Sequence, residues 1–125
     1  MNGYSVKIIE TSRELTAKER IKLKDTTNAI KLDEATQSGE PIIIYPNMYA
    51  ILAIHNEKSD NVDYENYVIV DKSGDKYVTG SQSFWTSFIE IAEEMNGESE
   101  EWGIKVYRMP SKNYKGKEFL TCSIE

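Results

Sequence analysis

Cysteine and histidine are almost absent: Cys122 and His55 each stand alone among 125 residues. That scarcity excludes a disulfide framework, zinc-finger ligand sets, Cys/His nucleophile pairs and His-rich metal sites together. Long apolar runs are missing as well. None approaches the ~18 to 20 residues needed to cross a bilayer, so no membrane-spanning segment is expected. The stretch Met1-Asn2-Gly3-Tyr4-Ser5-Val6-Lys7-Ile8-Ile9-Glu10 has no apolar leader or small-residue cleavage site, and a cytoplasmic location follows as the expectation. Glycine occurs seven times without forming Gly-x-x-x-x-Gly-Lys-Ser/Thr or Gly-x-Gly-x-x-Gly, so Gly74 and Gly80 do not make a phosphate cradle. Asp60, Asp63 and Glu65 lack the Asp-x-Asp-x-Asp-Gly frame of a calcium loop and read as solvated charge. No catalytic residue, metal site or cofactor is assigned, and no matched acid/base pair is visible; the chain reads as a binding protein and not an enzyme.

What is present fits one globular domain, residues 1–125: 39% of the residues are hydrophobic and 29% charged. Net charge is -6, unevenly spread. Residues 1–32 carry seven Lys/Arg against four Asp/Glu, residues 33–100 three against fourteen, and residues 101–125 five against three. Salt screens charge over roughly 8 to 10 Å, so a ligand responds to the nearest face rather than to the total. A basic face on an acidic protein is compatible with this distribution.

Along the chain, Ser5 to Glu10 reads as a short strand, and Thr16-Ala17-Lys18-Glu19 has the form of a capping box that opens a helix. Ile21 to Asp25 fits strand or helix, Asn28 to Asp33 a weak strand, and Glu34 to Glu40 a loop. Pro41 to His55 is one long strand or two, interrupted at Pro46, because proline cannot donate to a ladder. Tyr64 to Asp71 and Lys76 to Thr79 flank a glycine-containing turn and form a hairpin. Ser83 is placed to cap a helix with the apolar stripe Phe84, Phe88, Ile91 and Met95, ending at Asn96-Gly97. Trp102 to Met109 and Lys117 to Ile124 make a second hairpin with a longer, basic tip.

Three strands, a helix and two strands from Pro41 onward follow the order of the OB-fold, a five-stranded Greek-key barrel. The expected architecture is therefore mainly β with one principal helix between the third and fourth strands, a barrel over 41–125 and an N-terminal extension over 1–40. In the last hairpin Ile104 and Val106, with Leu120, Cys122 and Ile124, supply an apolar side. The opposite side presents Lys105, Tyr107, Lys117 and Phe119, with Arg108, Lys112, Tyr114 and Lys115 nearby. Aromatic rings stack on unpaired bases and lysines follow phosphates, so this surface suits a single-stranded nucleic acid with little sequence preference. Of the tyrosines divided between core and face, Tyr67 and Tyr77 are the expected exposed pair. Cys122, Trp85 and Trp102 read as packing residues and His55 as a surface histidine. The basic residues Arg13, Lys18, Arg20, Lys22 and Lys24 are candidates for extending the groove.

The stretch from Tyr64 to the C-terminus carries Glu65-Asn66-Tyr67-Val68-Ile69-Val70-Asp71, Gly74-Asp75-Lys76-Tyr77-Val78-Thr79, the helix, Ile104-Lys105-Val106, and the run Ser111-Lys112-Asn113-Tyr114-Lys115-Gly116-Lys117-Glu118-Phe119-Leu120-Thr121-Cys122-Ser123. This half of the chain resembles the small single-stranded-DNA-binding proteins encoded by phages of Gram-positive bacteria, most visibly in Gly116-Lys117-Glu118-Phe119 opening the last strand. The resemblance implies an OB-fold that coats single strands during replication or recombination in the host cytoplasm. The first 40 residues have no matching counterpart, and the sequence stops at Ser123-Ile124-Glu125 without an acidic tail, so recruitment through such a tail is not expected. RNA beside DNA, self-association, and contact with replication or recombination proteins stay open. The competing reading is an acidic interaction module or DNA-mimicking decoy, motivated by Asp60, Asp63, Glu90, Glu93 and Glu94 in the acidic middle segment.

Overall fold

A computed structural model describes residues 3–113 and 115–125. In chain order the elements are β1 (Tyr4–Thr11), α1 (Ala17–Lys24), β2 (Ile30–Lys31), α2 (Leu32–Ala35), β3 (Ile42–Ile44), β4 (Pro46–Asn56), β5 (Asp63–Asp71), β6 (Lys76–Thr79), α3 (Gln82–Met95), β7 (Ile104–Pro110) and β8 (Glu118–Ile124). The protein is mainly β with one principal helix, as its element order predicts. Its strands form two open sheets among the described residues, one ordered β1-β4-β5-β6-β2 and the other β3-β7-β8. The chain divides into two compact units, residues 1–30 with 47–80 and residues 31–46 with 81–125.

In the first unit, β4 alternates strictly, burying Met48, Ala50, Leu52 and Ile54. These join Val68 and Val78, with Leu15 and Leu23 from the α1 region and the half-buried Val6 and Ile8 of β1, in one apolar cluster. Full burial of such a side chain contributes about 1.5 to 3 kcal/mol. The capping box forms as expected: the Thr16 hydroxyl accepts from the Glu19 amide at 3.2 Å and the Glu19 carboxylate from the Thr16 amide at 2.9 Å. Arg13, 2.9 Å from the same carboxylate, and the Thr16 amide hold Glu19 down at about 2. The ambiguous stretch after Arg20 continues the helix to Lys24, because Leu23 reaches the apolar cluster. The Lys76 ammonium then takes the Lys22 carbonyl and, at 2.6 Å, the Asp25 carbonyl, neutralising the free end of α1. The weak strand expected over Asn28 to Asp33 shrinks to β2, and α2, opened by the buried Leu32, takes the end of that strand and the first residues of the loop expected from Glu34.

In the second unit, α3 buries Phe84, Trp85, Phe88 and Ala92. Trp85 and Trp102 both pack on Phe88, with ring centroids 5.1 Å and 6.3 Å away. The helix starts earlier than expected. Ser81 caps it by accepting from the Phe84 amide at 3.2 Å, while Ser83 donates its hydroxyl to the Leu120 carbonyl at 3.0 Å and fastens α3 to β8. Asn96 closes the helix and Gly97 follows at φ +87°, a left-handed turn open to glycine. Ile124, expected inside, is exposed at the end of the last strand.

The strand interruption falls at Tyr45, one residue before the expected proline: β3 pairs with β7, and β4 pairs with β1 and β5. The Tyr45 ring lies against Gly103, where an added Cβ would come within 2.8 Å of the ring and 3.1 Å of the Ile44 carbonyl. Gly103→Ala should therefore lower stability by about 1 to 3 kcal/mol, the usual cost of forcing an atom into a filled space. Urea unfolding measures it, and combining the change with Tyr45→Ala should recover part of the loss. An unaffected midpoint for the single variant would contradict the contact.

Candidate nucleic-acid interface

Register decides what the last hairpin shows to solvent. Lys105 faces Ser123, Tyr107 faces Thr121 and Met109 faces Phe119 across β7 and β8, and Ile43 of β3 faces Lys105. Cross-strand partners share a side of the sheet, so Ile43, Lys105, Tyr107, Met109 and Phe119 lie on one face. Ile104, Val106, Leu120 and Cys122 occupy the other and are buried. On the first face Met109 is 42% exposed, Phe119 39% and Ile43 38%, and Tyr107 is half-buried. Exposed apolar groups contiguous along a hairpin mark a contact surface more often than scattered ones do.

The tip beyond these strands is held by local geometry. Ser111 donates its amide to the Lys117 carbonyl at 2.8 Å, and Gly116 turns the chain at φ +79°. Lys112, Lys115 and Lys117 project from it, exposed, and Lys105 is exposed on the strand. Among the described residues no ion pair engages any of these four lysines. Met109, Pro110, Lys112, Asn113, Lys117 and Phe119 line a shallow groove at the base of the tip. Tyr114, also expected to contribute, lies outside the described residues.

Three sequence-based assignments change. Tyr67 and Tyr77 are not exposed platforms: they keep 6% and 9% of their surface, and burial pushes both phenols up. They face Thr79 and Ile69 on the side of the β5–β6 hairpin away from Val68 and Val78, and both sides of that hairpin are covered. Arg108 points away from Tyr107, on the side of Leu120, and is engaged structurally. Its Nε donates to Thr36 Oγ1 at 3.0 Å and its terminal nitrogen to the Asp33 carbonyl, tying β7 to α2. Thr121 is buried because α3 reaches across β8, with Ser87 Oγ 3.2 Å from Thr121 Oγ1. Met109 and Ile43, absent from the sequence-based set, complete the apolar stripe; only the pairing of β3 with β7 places Ile43 there.

Of the N-terminal cations, Arg13 pairs with Glu19 and Arg20 donates to the Leu15 carbonyl at 2.7 Å, so both stabilise the start of α1. Burial raises the Cys122 thiol to about 12, which removes it as a nucleophile. No three acidic, histidine or cysteine residues gather as a metal-ligand set among the described residues. No family model, no curated protein and no solved structure matches this chain.

His55 is more engaged than the sequence suggests. Its Nδ1 lies 2.8 Å from Asp63 and its Nε2 3.5 Å from Glu57, and the Asp63 hydrogen bond is the main influence raising its pKa above 6.5. A raised folded-state value means the contribution to the β4–β5 turn is complete below the unfolded pKa and is lost as pH rises through the folded one. Proton NMR titration should give His55 a pKa above its ordinary value, with Asp63→Asn returning it downward. An ordinary value in the unaltered protein would contradict the pairing.

Proposed function

We propose that this chain is a non-catalytic single-stranded-DNA-binding protein that holds its ligand on the outer face of the β7–β8 hairpin. The observation that carries the reading is the juxtaposition of Tyr107, Met109 and Phe119 with four exposed lysines that no ion pair engages among the described residues. Unstacked bases lie flat on rings and apolar side chains, each aromatic contact contributing about 1 to 3 kcal/mol, while the lysines meet the phosphates that bases leave on the outside. Duplex DNA hides its base faces and gains only the electrostatic part. Since every base has a π face, the binding tolerates sequence.

The strand connectivity supports an OB-type reading. The segment β3 with β4 pairs at its start with β7 and later with β5; β5 pairs with β6, α3 follows, and β7 pairs with β8. That is the neighbour pattern of an OB-fold lacking its final closing pair, and the loop between β7 and β8 corresponds to one of the two loops with which OB-folds grip oligonucleotides. The resemblance to phage-encoded single-strand binders points the same way. It suggests a role in coating strands exposed during phage replication or recombination in a bacterial cytoplasm.

Fluorescence anisotropy of labelled oligo-dT, oligo-rU and a duplex tests the proposal. Single strands should bind more tightly than duplex, with a logarithmic salt slope of about -3 if four lysines each neutralise a phosphate at about -0.7. Tyr107→Ala should weaken oligo-dT binding about tenfold, which corresponds to about 1.4 kcal/mol. Lys112→Glu with Lys115→Glu should flatten the salt response. Equal affinity for duplex and single strand, or binding indifferent to these changes, would overturn the reading.

A further inference from the structure

β1 is the outermost strand of the five-stranded sheet; it pairs with β4 on one side, and no strand of the described chain pairs with its other side. A free strand edge carries a row of unpaired amide and carbonyl groups that another strand can complete. Its side chains are set by a bulge. Val6, Ile8 and Thr11 face Ile54, Leu52 and Ala50, the core-facing residues of β4, whereas Lys7 faces Ala53 and Glu10 faces Ile51. The register shifts between Ile8 and Glu10, with Ile9 as the additional residue. Without it, Lys7 and Glu10, three positions apart, would point to opposite sides. With it they share the side away from the core, and both are exposed, as is Ile9 at 51%.

We propose that the chain forms a two-fold dimer in which β1 pairs antiparallel with β1 of a second copy, centred on Ile8. A two-fold axis perpendicular to a continuous sheet places like sides together, so each Lys7 meets the Ile9–Glu10 step of the other copy. The lysine stem covers the exposed Ile9 while its ammonium pairs with the Glu10 carboxylate. This happens twice, by symmetry. On the core side Ile8 meets its own copy and Val6 meets Thr11, which continues the apolar cluster that Val6 and Ile8 already join. Bulges and lysines on an edge commonly keep other strands away. Here the bulge brings an acid to the lysine's side, so the edge is complementary to itself. A second copy satisfies that pattern, whereas an unrelated peptide would have to match both its charge order and its irregular register. The proposal is independent of nucleic-acid binding and is tested without it.

Sedimentation equilibrium over a wide concentration range should show a monomer–dimer equilibrium. Lys7→Glu alone and Glu10→Lys alone should each weaken association by about tenfold, since two opposed pairs become repulsive together. The double swap Lys7→Glu/Glu10→Lys should restore it. Both positions are exposed, so circular dichroism should show unchanged folding. As a second readout, hydrogen exchange of the β1 amides should slow as concentration rises. A monomer at every concentration would overturn the proposal. So would a dimer indifferent to both single changes, or a double swap without rescue.

Discussion

Tyr45 is the single residue between two strands with different partners, and its ring occupies the space that Gly103 leaves by having no side chain. β3 lies beside β7 only because the chain can change sheets at that point, and β7 in turn sets the register of β8. The face on which Tyr107, Met109 and Phe119 align thus depends on the close approach of the Tyr45 ring to Gly103. Arg108 reinforces the same strand from behind through Thr36 and Asp33, and Ser83 and Ser87 secure β8 from α3. The two strands of the hairpin are consequently braced by α2 and α3.

Charge and packing divide the work among the cations. Arg13, Arg20, Lys76 and Arg108 each satisfy carbonyls or a carboxylate within the fold, at helix ends or between elements. Among the described residues no ion pair engages Lys105, Lys112, Lys115 or Lys117. A protein with a net charge of -6 can still present a cationic surface where lysines outnumber acids locally, as five Lys/Arg against three Asp/Glu do over residues 101–125, because screening confines each charge to its own vicinity.

Local chemistry was legible in the sequence. The Thr16 capping box and the turns at Gly74 and Gly116 rest on interactions between residues close in the chain, whereas α3 buries Trp85 and Ala92 beside Phe84 and Phe88 and leaves Ile91 and Met95 half-buried, and β8 buries Leu120, Thr121 and Cys122 in succession. What the sequence concealed depends on distant partners. Arg108 looks like a ligand contact until Thr36, 72 positions away, takes its Nε. Tyr67 and Tyr77 suit an exposed half of an alternating hairpin, but both sides of that hairpin are covered, which alternation cannot reveal. Ile43 joins the exposed face of the hairpin only through the pairing of β3 with β7. The helix cap moved from Ser83 to Ser81 because two serines compete locally, and the Leu120 carbonyl claims the second.

The most direct measurement is an amide-resolved NMR titration of the full chain with oligo-dT. Binding on the hairpin predicts chemical-shift changes concentrated at Ile43, Lys105 to Met109, and Lys112 to Phe119, with the buried Tyr67 and Tyr77 amides little affected. Shifts confined to the acidic surface of α3, or none at ligand excess, would contradict it.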